Sequence, residues 1–324
     1  MKWKKYLKRK NLLVTHLFFR AHNLEKRLMM NGLFIKFEGA SLTGTQKDRI
    51  SMLHALRARE GGYDTISLAT CGNYGASISY FANRYGLKSV IAIPEFYSGE
   101  RVEEMRSNGS SILEMPYKYE ELVDYMRDRS SDENWYDSSP GSKNSELDIM
   151  GYENIAYEIT SQLGHSPEFL SVPVGNGTTL AGIFSGFEKL YHSGEISRVP
   201  RLIASSTSNG NPIVASWKKK RRKVVDLDPA EITETSVSEP LVSFRSYDGQ
   251  KALDSIYRSN GIATYVSDSE MVNYSRMIER AEKLSVLPAS ASAMAAADKV
   301  MRKLGYKGEV VVVLTGRNRT WITQ

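Results

Sequence analysis

Short apolar runs alternate with small-polar loops and amphipathic stretches along this chain. Leu33-Phe34-Ile35-Lys36-Phe37 reads as a strand, and Ile50 to Glu60 as a helix that follows a polar, glycine-containing loop. Thr65-Ile66-Ser67-Leu68-Ala69 is a second strand, feeding a Gly-Asn loop and a helix through Tyr85. Ser89 to Pro94 and Ile112 to Met115 read as strands, and Glu100 to Ser107 and Tyr119 to Arg129 as helices. Ser130 to Ser145 is rich in Ser, Asp, Asn, Pro and Gly, which predicts a long loop or a domain crossing. Beyond it the spacing predicts a helix over Tyr152 to Leu163 and a strand over Phe169 to Val174. A helix over Leu180 to Tyr191 and a strand over Arg201 to Ser205 follow. Asp268 to Leu284 and Ser290 to Leu304 read as helices, and Val310 to Leu314 as a fully buried strand. Regular strand–helix alternation predicts parallel sheets covered by helices on both faces. No internal repeat or low-complexity segment interrupts it.

Composition narrows the class. The chain has 324 residues, 41% hydrophobic and 25% charged, as an ordinary globular protein of about two domains would. A net charge of +6 suits an anionic substrate or cofactor but is too dispersed to indicate nucleic acid. The run Lys218-Lys219-Lys220-Arg221-Arg222-Lys223 has no interleaved aromatics and reads as a solvated loop, with salt-dependent nucleic-acid binding or membrane contact the rival reading. Cys71 is the single cysteine, which rules out an intrachain disulfide and a multi-thiolate metal site and fits a reducing, cytoplasmic setting. The basic Met1 to Lys10 and the apolar Asn11 to Phe19 imitate a secretion signal. Arg20 and His22 interrupt the apolar stretch, and no small-residue cleavage pattern follows. No apolar run reaches the ~20 residues a membrane-spanning helix needs.

Three loops carry candidate chemistry. Lys47 lies in Leu42-Thr43-Gly44-Thr45-Gln46-Lys47-Asp48-Arg49, just ahead of a helix. A lysine held there by backbone on both sides can be desolvated, which lowers its pKa and makes its amine a nucleophile toward carbonyls. A lysine at a helix start is ordinarily a surface residue, and two later glycine-rich loops change that expectation. Gly175-Asn176-Gly177-Thr178-Thr179 follows a strand and opens a helix, so free amides and threonine hydroxyls converge where a phosphate group fits. It lacks the Gly-Lys-Ser/Thr end of a nucleotide-triphosphate loop and the third spaced glycine of a dinucleotide fingerprint. Thr70-Cys71-Gly72-Asn73-Tyr74-Gly75 has the same architecture and suits a carboxylate or a phenolate oxygen. No histidine lies near Cys71 in sequence, so it reads as a packing residue rather than a nucleophile.

A lysine loop, a Gly-Asn loop, a glycine-rich phosphate loop and a terminal strand ending in Leu314-Thr315-Gly316, in that order, resemble the fold-type II pyridoxal-phosphate enzymes. The likeness runs from about Leu33 to Gly316 and is strongest to the threonine synthase family. Phe37-Glu38-Gly39 and the lysine loop are similar to that family's Glu-Gly and Asn-Pro-Thr-Gly-Ser-Phe-Lys-Asp-Arg. Val172-Pro173-Val174-Gly175-Asn176 is similar to its Val-Pro-Val-Gly-Asn, and Leu287-Pro288-Ala289-Ser290-Ala291 to its Glu-Pro-Ala-Ser-Ala. The resemblance implies a tryptophan synthase β-like α/β fold with two doubly wound αβα domains and pyridoxal 5'-phosphate in the cleft between them. The larger domain would be residues 1–45 and 147–324, and the smaller, mobile one 46–146. Lys47 would form the Schiff base and, once released by an incoming amino acid, take its α-proton. Asn73 would contact the ring hydroxyl and Thr315 the ring nitrogen. Gly175, Asn176, Gly177, Thr178 and Thr179 would hold the phosphate, and Thr70, Cys71, Gly72 and Tyr74 would line the substrate carboxylate site. A homodimer is implied by resemblance alone.

The chain also departs from the threonine synthase pattern. Gln46 replaces an aromatic residue, and Tyr74 is bulkier than the usual small one. Glu153 stands where a lysine would be, and Asp148 lies near the place of an arginine that binds the substrate phosphate, with Lys143 a possible substitute. In a threonine synthase the reaction is loss of phosphate from O-phosphohomoserine and addition of water at the β carbon. Rival readings are β-replacement on an O-activated serine, as in cysteine synthase, dehydration of serine or threonine, and a catalytically silent cofactor-binding regulatory protein.

Overall fold

The computed structural model describes residues 17–70, 72–95, 97 and 101–318. Two sheets organise it. The larger has six strands in the order β1 (Leu17–Arg20), β2 (Leu33–Phe37), β10 (Val310–Leu314), β7 (Phe169–Pro173), β8 (Arg201–Thr207) and β9 (Ile262–Val266). Only the β1–β2 pair is antiparallel. The smaller sheet is parallel throughout, in the order β5 (Ser111–Met115), β4 (Lys88–Pro94), β3 (Thr65–Ala69) and β6 (Tyr136–Asp137). Parallel strands need crossover helices, which explains why the sequence alternates.

The centre of the large sheet is β10, whose Val-Val-Val-Val-Leu run is buried along its length. Helix α11 (Pro288–Leu304) lies on it, and its buried alanines let the helix approach closely. Helices α6 (Glu146–Leu163) and α7 (Thr178–His192) pack together on the opposite face, with Leu170, Val172, Val311 and Val313 beneath. Helix α2 (Asp48–Glu60) runs from the lysine loop and packs on α3 (Asn73–Tyr85) and α6. These crossings direct the loops at the carboxyl ends of β2, β3, β7 and β10.

Several elements differ from the sequence reading. Helix α5 (Tyr119–Asp132) runs slightly further, and the expected loop after it contains β6. Tyr136 is buried there and pairs with Ile66, so a single aromatic anchor outweighs polar flanks. Helix α6 starts at Glu146 rather than Tyr152, because Gly151 is not a break. A side chain there would meet Ile50 Cγ2 at 2.8 Å, so this glycine marks a helix crossing. Helices α1 (His22–Leu28), α4 (Arg101–Ser107), α8 (Pro212–Lys218), α9 (Gly249–Arg258) and α10 (Asp268–Glu282) complete the named helices. The elements β1, α1, α8, α9 and β9 escaped the sequence reading. The residues of the signal-like segment before Leu17 lie outside those described. Among the described residues no helix is long and apolar enough to cross a membrane.

Candidate active site

The lysine loop is fixed from three directions. Asp48 accepts the Thr43 amide at 2.8 Å and the Ser77 hydroxyl at 2.6 Å, and also holds the Thr43 hydroxyl. Thr45 forms an antiparallel bridge with Gly316, and the Gln46 amide donates to the Thr315 carbonyl at 2.9 Å. Arg317 N–H donates to the Gly44 carbonyl at 2.9 Å. Lys47 and Thr315, 268 positions apart in the chain, are thereby placed side by side. The Thr315 amide in turn donates to Ser290 Oγ at 2.6 Å, at the start of α11.

Behind the loop, Arg49 ties α2 to the large sheet. Its guanidinium donates to Glu38 at 2.6 and 2.9 Å and to Glu158 at 2.8 Å through two nitrogens. Lys36 Nζ joins Glu158 at 2.6 Å. Fork-shaped pairing of this kind fixes orientation as well as position. Burial pushes the Glu158 carboxyl up, but Arg49 and Lys36 outweigh it and hold its pKa at about 2.

Lys47 caps the start of α2 and is half-buried. Its amine lies 5.0 Å from the centroid of the Tyr74 ring. Burial lowers its pKa below the usual lysine range, against the upward pull of Asp148 and Asp248. The Tyr74 hydroxyl donates to the Ser138 carbonyl at 3.0 Å and stands 3.5 Å from Asp148 Oδ1. Asp148 faces His54 Nε2 at 2.9 Å, and His54 Nδ1 meets the Tyr136 hydroxyl at 3.1 Å. Burial, then Asp148, pushes the Tyr74 phenol far up, so it remains a neutral donor.

In the Gly-Asn loop, Thr70 is buried and its Oγ1 accepts the Gly72 amide at 3.3 Å. Gly72 has φ +124°, and a side chain there would collide with the Tyr97 hydroxyl. Asn73 opens α3, and its Oδ1 accepts from Arg101 Nη1 at 2.6 Å. Because arginine can only donate, this bond fixes the amide orientation and leaves Nδ2 as the donor. Arg101 also reaches the Thr43 carbonyl at 2.9 Å and pairs with Glu104 at 3.0 Å, so it clasps the lysine loop to the asparagine loop. Cys71 lies outside the described residues.

The loop after β7 ends in Gly177, at φ +89°, and among the described residues no side chain caps α7. Its first amides are therefore available to an anion, favoured there by the helix dipole. A side chain at Gly175 would meet the Pro240 carbonyl at 2.6 Å, and one at Gly177 would meet Ala252 Cβ at 2.7 Å. Asn211 Nδ2 fixes the loop through the Val174 and Gly175 carbonyls at 3.2 and 3.1 Å. Thr178 Oγ1 donates to Asp248 at 2.9 Å, and Lys251 Nζ pairs with that carboxylate at 2.8 Å. Asn176 Nδ2 reaches the hydroxyl of Tyr119, the first residue of α5, at 3.4 Å, and its buried Oδ1 has no partner among the described residues. Thr179 is buried just inside the helix. Asp248 pulls on the Lys47 amine and accepts from the Thr178 hydroxyl, so one carboxylate is within electrostatic reach of the lysine and bonded to the start of α7.

Arg101, Asp248, Asn211 and His54 were not singled out by sequence. An Asn-Pro pair, a common helix opening, was the available signal for Asn211, which caps α8 with Pro212 following. The others sit in unremarkable segments. Glu153 lies away from Lys47, bonded to Ser185 at 2.9 Å and Lys189 at 2.6 Å between α6 and α7. Lys143 is exposed. The basic run follows α8. Lys218 lies over Tyr265 and Arg222 over Tyr257, while Lys219, Lys220, Arg221 and Lys223 are exposed. No metal-binding cluster occurs among the described residues.

A family model described as pyridoxal-phosphate dependent enzyme matches residues 12–316. The threonine synthase of Methanocaldococcus jannaschii is 29% identical over 305 residues, which span 92% of this chain and 73% of that protein. That of Synechocystis is 25% identical over 285 residues, spanning 88% and 71%. Among solved structures, the processed form of threonine deaminase isoform 2 from Solanum lycopersicum superposes with a TM-score of 0.79 at 17% identity, covering 95% of this chain and 85% of that one. Maize serine racemase gives 0.79 at 17% identity, covering 96% and 91%. At these identities the superpositions establish the shared fold.

Proposed function

Because this chain belongs to the pyridoxal-phosphate-dependent enzyme family, we propose that it carries the cofactor on Lys47 and catalyses elimination or replacement at the β or γ carbon of an α-amino acid. The supporting observation is a carboxylate common to both parts: Asp248 pulls on the Lys47 amine, whose pKa burial lowers, and accepts from Thr178 at the start of α7, which no side chain caps among the described residues.

The cradle suits the cofactor's anionic tail. Gly175 and Gly177 leave room that side chains would fill, and the first amides of α7, those of Thr178 and Thr179 included, supply donors with the Thr179 hydroxyl, while the Thr178 hydroxyl is given to Asp248. Asn73 Nδ2, oriented by Arg101, is the donor for the ring oxygen. The Thr315 side chain, at the end of β10, is the partner for the ring nitrogen. Thr70, Gly72 and Tyr74 form the carboxylate side. When bound, pyridoxal phosphate supplies the electron sink for charge developing at the α carbon. Lys47 contributes a base kept ready by desolvation, poised to take the α-proton. A hydroxyl at Thr315, unlike a carboxylate, does not stabilise a protonated ring nitrogen, which favours expulsion of a side-chain group over prolonged charge storage.

Among finer reactions, a threonine synthase-like conversion of O-phosphohomoserine is supported by the sequence relatives. Dehydration of serine or threonine is the second reading, supported by the Tyr74 ring, which stands 5.0 Å from the Lys47 amine where the threonine synthase pattern has a small residue. Titration of purified protein with pyridoxal phosphate tests the class. A visible absorbance band is expected in the parent and not in Lys47→Ala, and equal bands in both would refute the assignment. Phosphate release from O-phosphohomoserine against keto-acid formation from serine then separates the two reactions.

A further inference from the structure

We infer that the ring face of Tyr74 is the station of the Lys47 amine whenever that amine is not bonded to the cofactor, and that the ring steadies the amine in its cationic form. The inference rests on the reading that Lys47 carries the cofactor, and it makes Tyr74 a positioning residue for that lysine.

The Lys47 amine lies over the Tyr74 ring, 5.0 Å from its centroid. An aromatic face attracts an ammonium group within about 6 Å, and the attraction grows where water is scarce. Among the described residues Nζ has neither an ion pair nor a hydrogen bond, so the ring is its contact partner. Both sides of the contact are restrained. The Gln46 amide on the Thr315 carbonyl at 2.9 Å fixes the backbone beside the lysine. The ring is 5% exposed, and its hydroxyl donates to the Ser138 carbonyl at 3.0 Å. The face of such a ring is electron-rich and its edge electron-poor, so a cation on the face is compatible with a substrate carboxylate at the start of α3.

The charged groups nearby are committed elsewhere. Burial lowers the Lys47 pKa, while Asp148 on α6 and Asp248 just before α9 pull it upward from a distance. Asp148 meets His54 of α2 at 2.9 Å, and Asp248 accepts from Thr178 at 2.9 Å and pairs with Lys251 at 2.8 Å. Asp48 of α2 is bonded to Thr43 and Ser77, and Arg101 of α4 to Asn73 and Glu104. The phenols of Tyr119, Tyr136 and Tyr152 also act on the ring, and burial pushes the last two up, so they stay neutral.

The test reads the protonation of Lys47 itself, in the full chain freed of cofactor. Competitive acylation with acetic anhydride across a range of pH, followed by mass spectrometry of the peptide containing position 47, gives the pKa of its amine. In Tyr74→Leu it should fall about 0.5–1.5 units below the parent, the worth of a cation–π contact in a partly desolvated site. Tyr74→Phe keeps the ring and should titrate close to the parent. Phenylalanines carrying two and then three ring fluorines at position 74 keep the shape but drain the face of negative charge. Lys47 should titrate lower with each, and this series decides the matter if Tyr74→Leu does not fold. An amine in Tyr74→Leu that titrates at or above the parent, an equal fall in Tyr74→Phe, or a fluorinated series without a trend would overturn the inference. Failure of the underlying functional reading shows separately, as a parent protein that gives no cofactor band when pyridoxal phosphate is added.

Discussion

Replacing Arg49 by methionine should expose how strongly the catalytic loop depends on one buried cation. Arg49 sits two residues after Lys47 and donates four hydrogen bonds of 2.6 to 2.9 Å to Glu38 and Glu158. The Glu38 side chain is fully buried and that of Glu158 is 12% exposed. Methionine matches the aliphatic stem but withdraws the guanidinium from two carboxylates, while Lys36 stays 2.6 Å from Glu158. Removing one partner of a buried ion pair costs about 3–5 kcal/mol, because the remaining charge cannot recover its hydration. For a protein of this size that corresponds to a fall in thermal midpoint of about 4–7 °C. Urea and thermal unfolding followed by circular dichroism would measure it. Arg49→Lys should lose less, since it keeps the charge but not the fork. A loss below about 1 kcal/mol for Arg49→Met would refute the reasoning, placing the network among weakly coupled surface pairs.

The same network predicts the acid limb of stability. The Glu158 pKa is about 2 in the folded protein against an ordinary value of 4.5, so its contribution is complete above pH ~4.5 and drains away as pH falls toward 2. That shift is worth about 3 kcal/mol, and urea midpoints should fall more steeply between pH 5 and 3 in the parent than in Glu158→Gln. Gly177→Ala should weaken pyridoxal-phosphate binding by about tenfold or more and destabilise the fold by about 1–2 kcal/mol, since a side chain at φ +89° meets Ala252 Cβ at 2.7 Å. Parent-like cofactor titration would contradict this. Arg101→Met should free the Asn73 amide to rotate, alter the pH dependence of the cofactor's absorbance and lower cofactor affinity by about tenfold, with Arg101→Lys partly restoring both. Unchanged spectra would remove Arg101 from any positioning role.

Much of the fold was legible because local pattern and tertiary demand agree. The β10 run Val310–Leu314 is buried on both faces, and continuous β-branched sequence is what such a strand requires. The loops at Lys47, Asn73 and Gly175–Thr179 were legible because glycine beside small donors has few other uses at a strand–helix junction. The elements missed are those whose reason is distant. Gly151 looks like a helix breaker until Ile50 is seen crossing it. Tyr136 enters a strand because Ile66 awaits it. Asp148 shows no motif, and its importance comes from His54, 94 positions earlier, and from the Tyr74 ring. Arg101 likewise gains meaning only where two loops from separate segments meet.

Borohydride reduction of the cofactor-loaded protein, followed by proteolysis and mass spectrometry, tests the assignment of Lys47 most directly. A single pyridoxyl-modified peptide containing position 47 is the result predicted. Modification spread over surface lysines such as those of the 218–223 run, with position 47 unlabelled, would contradict it.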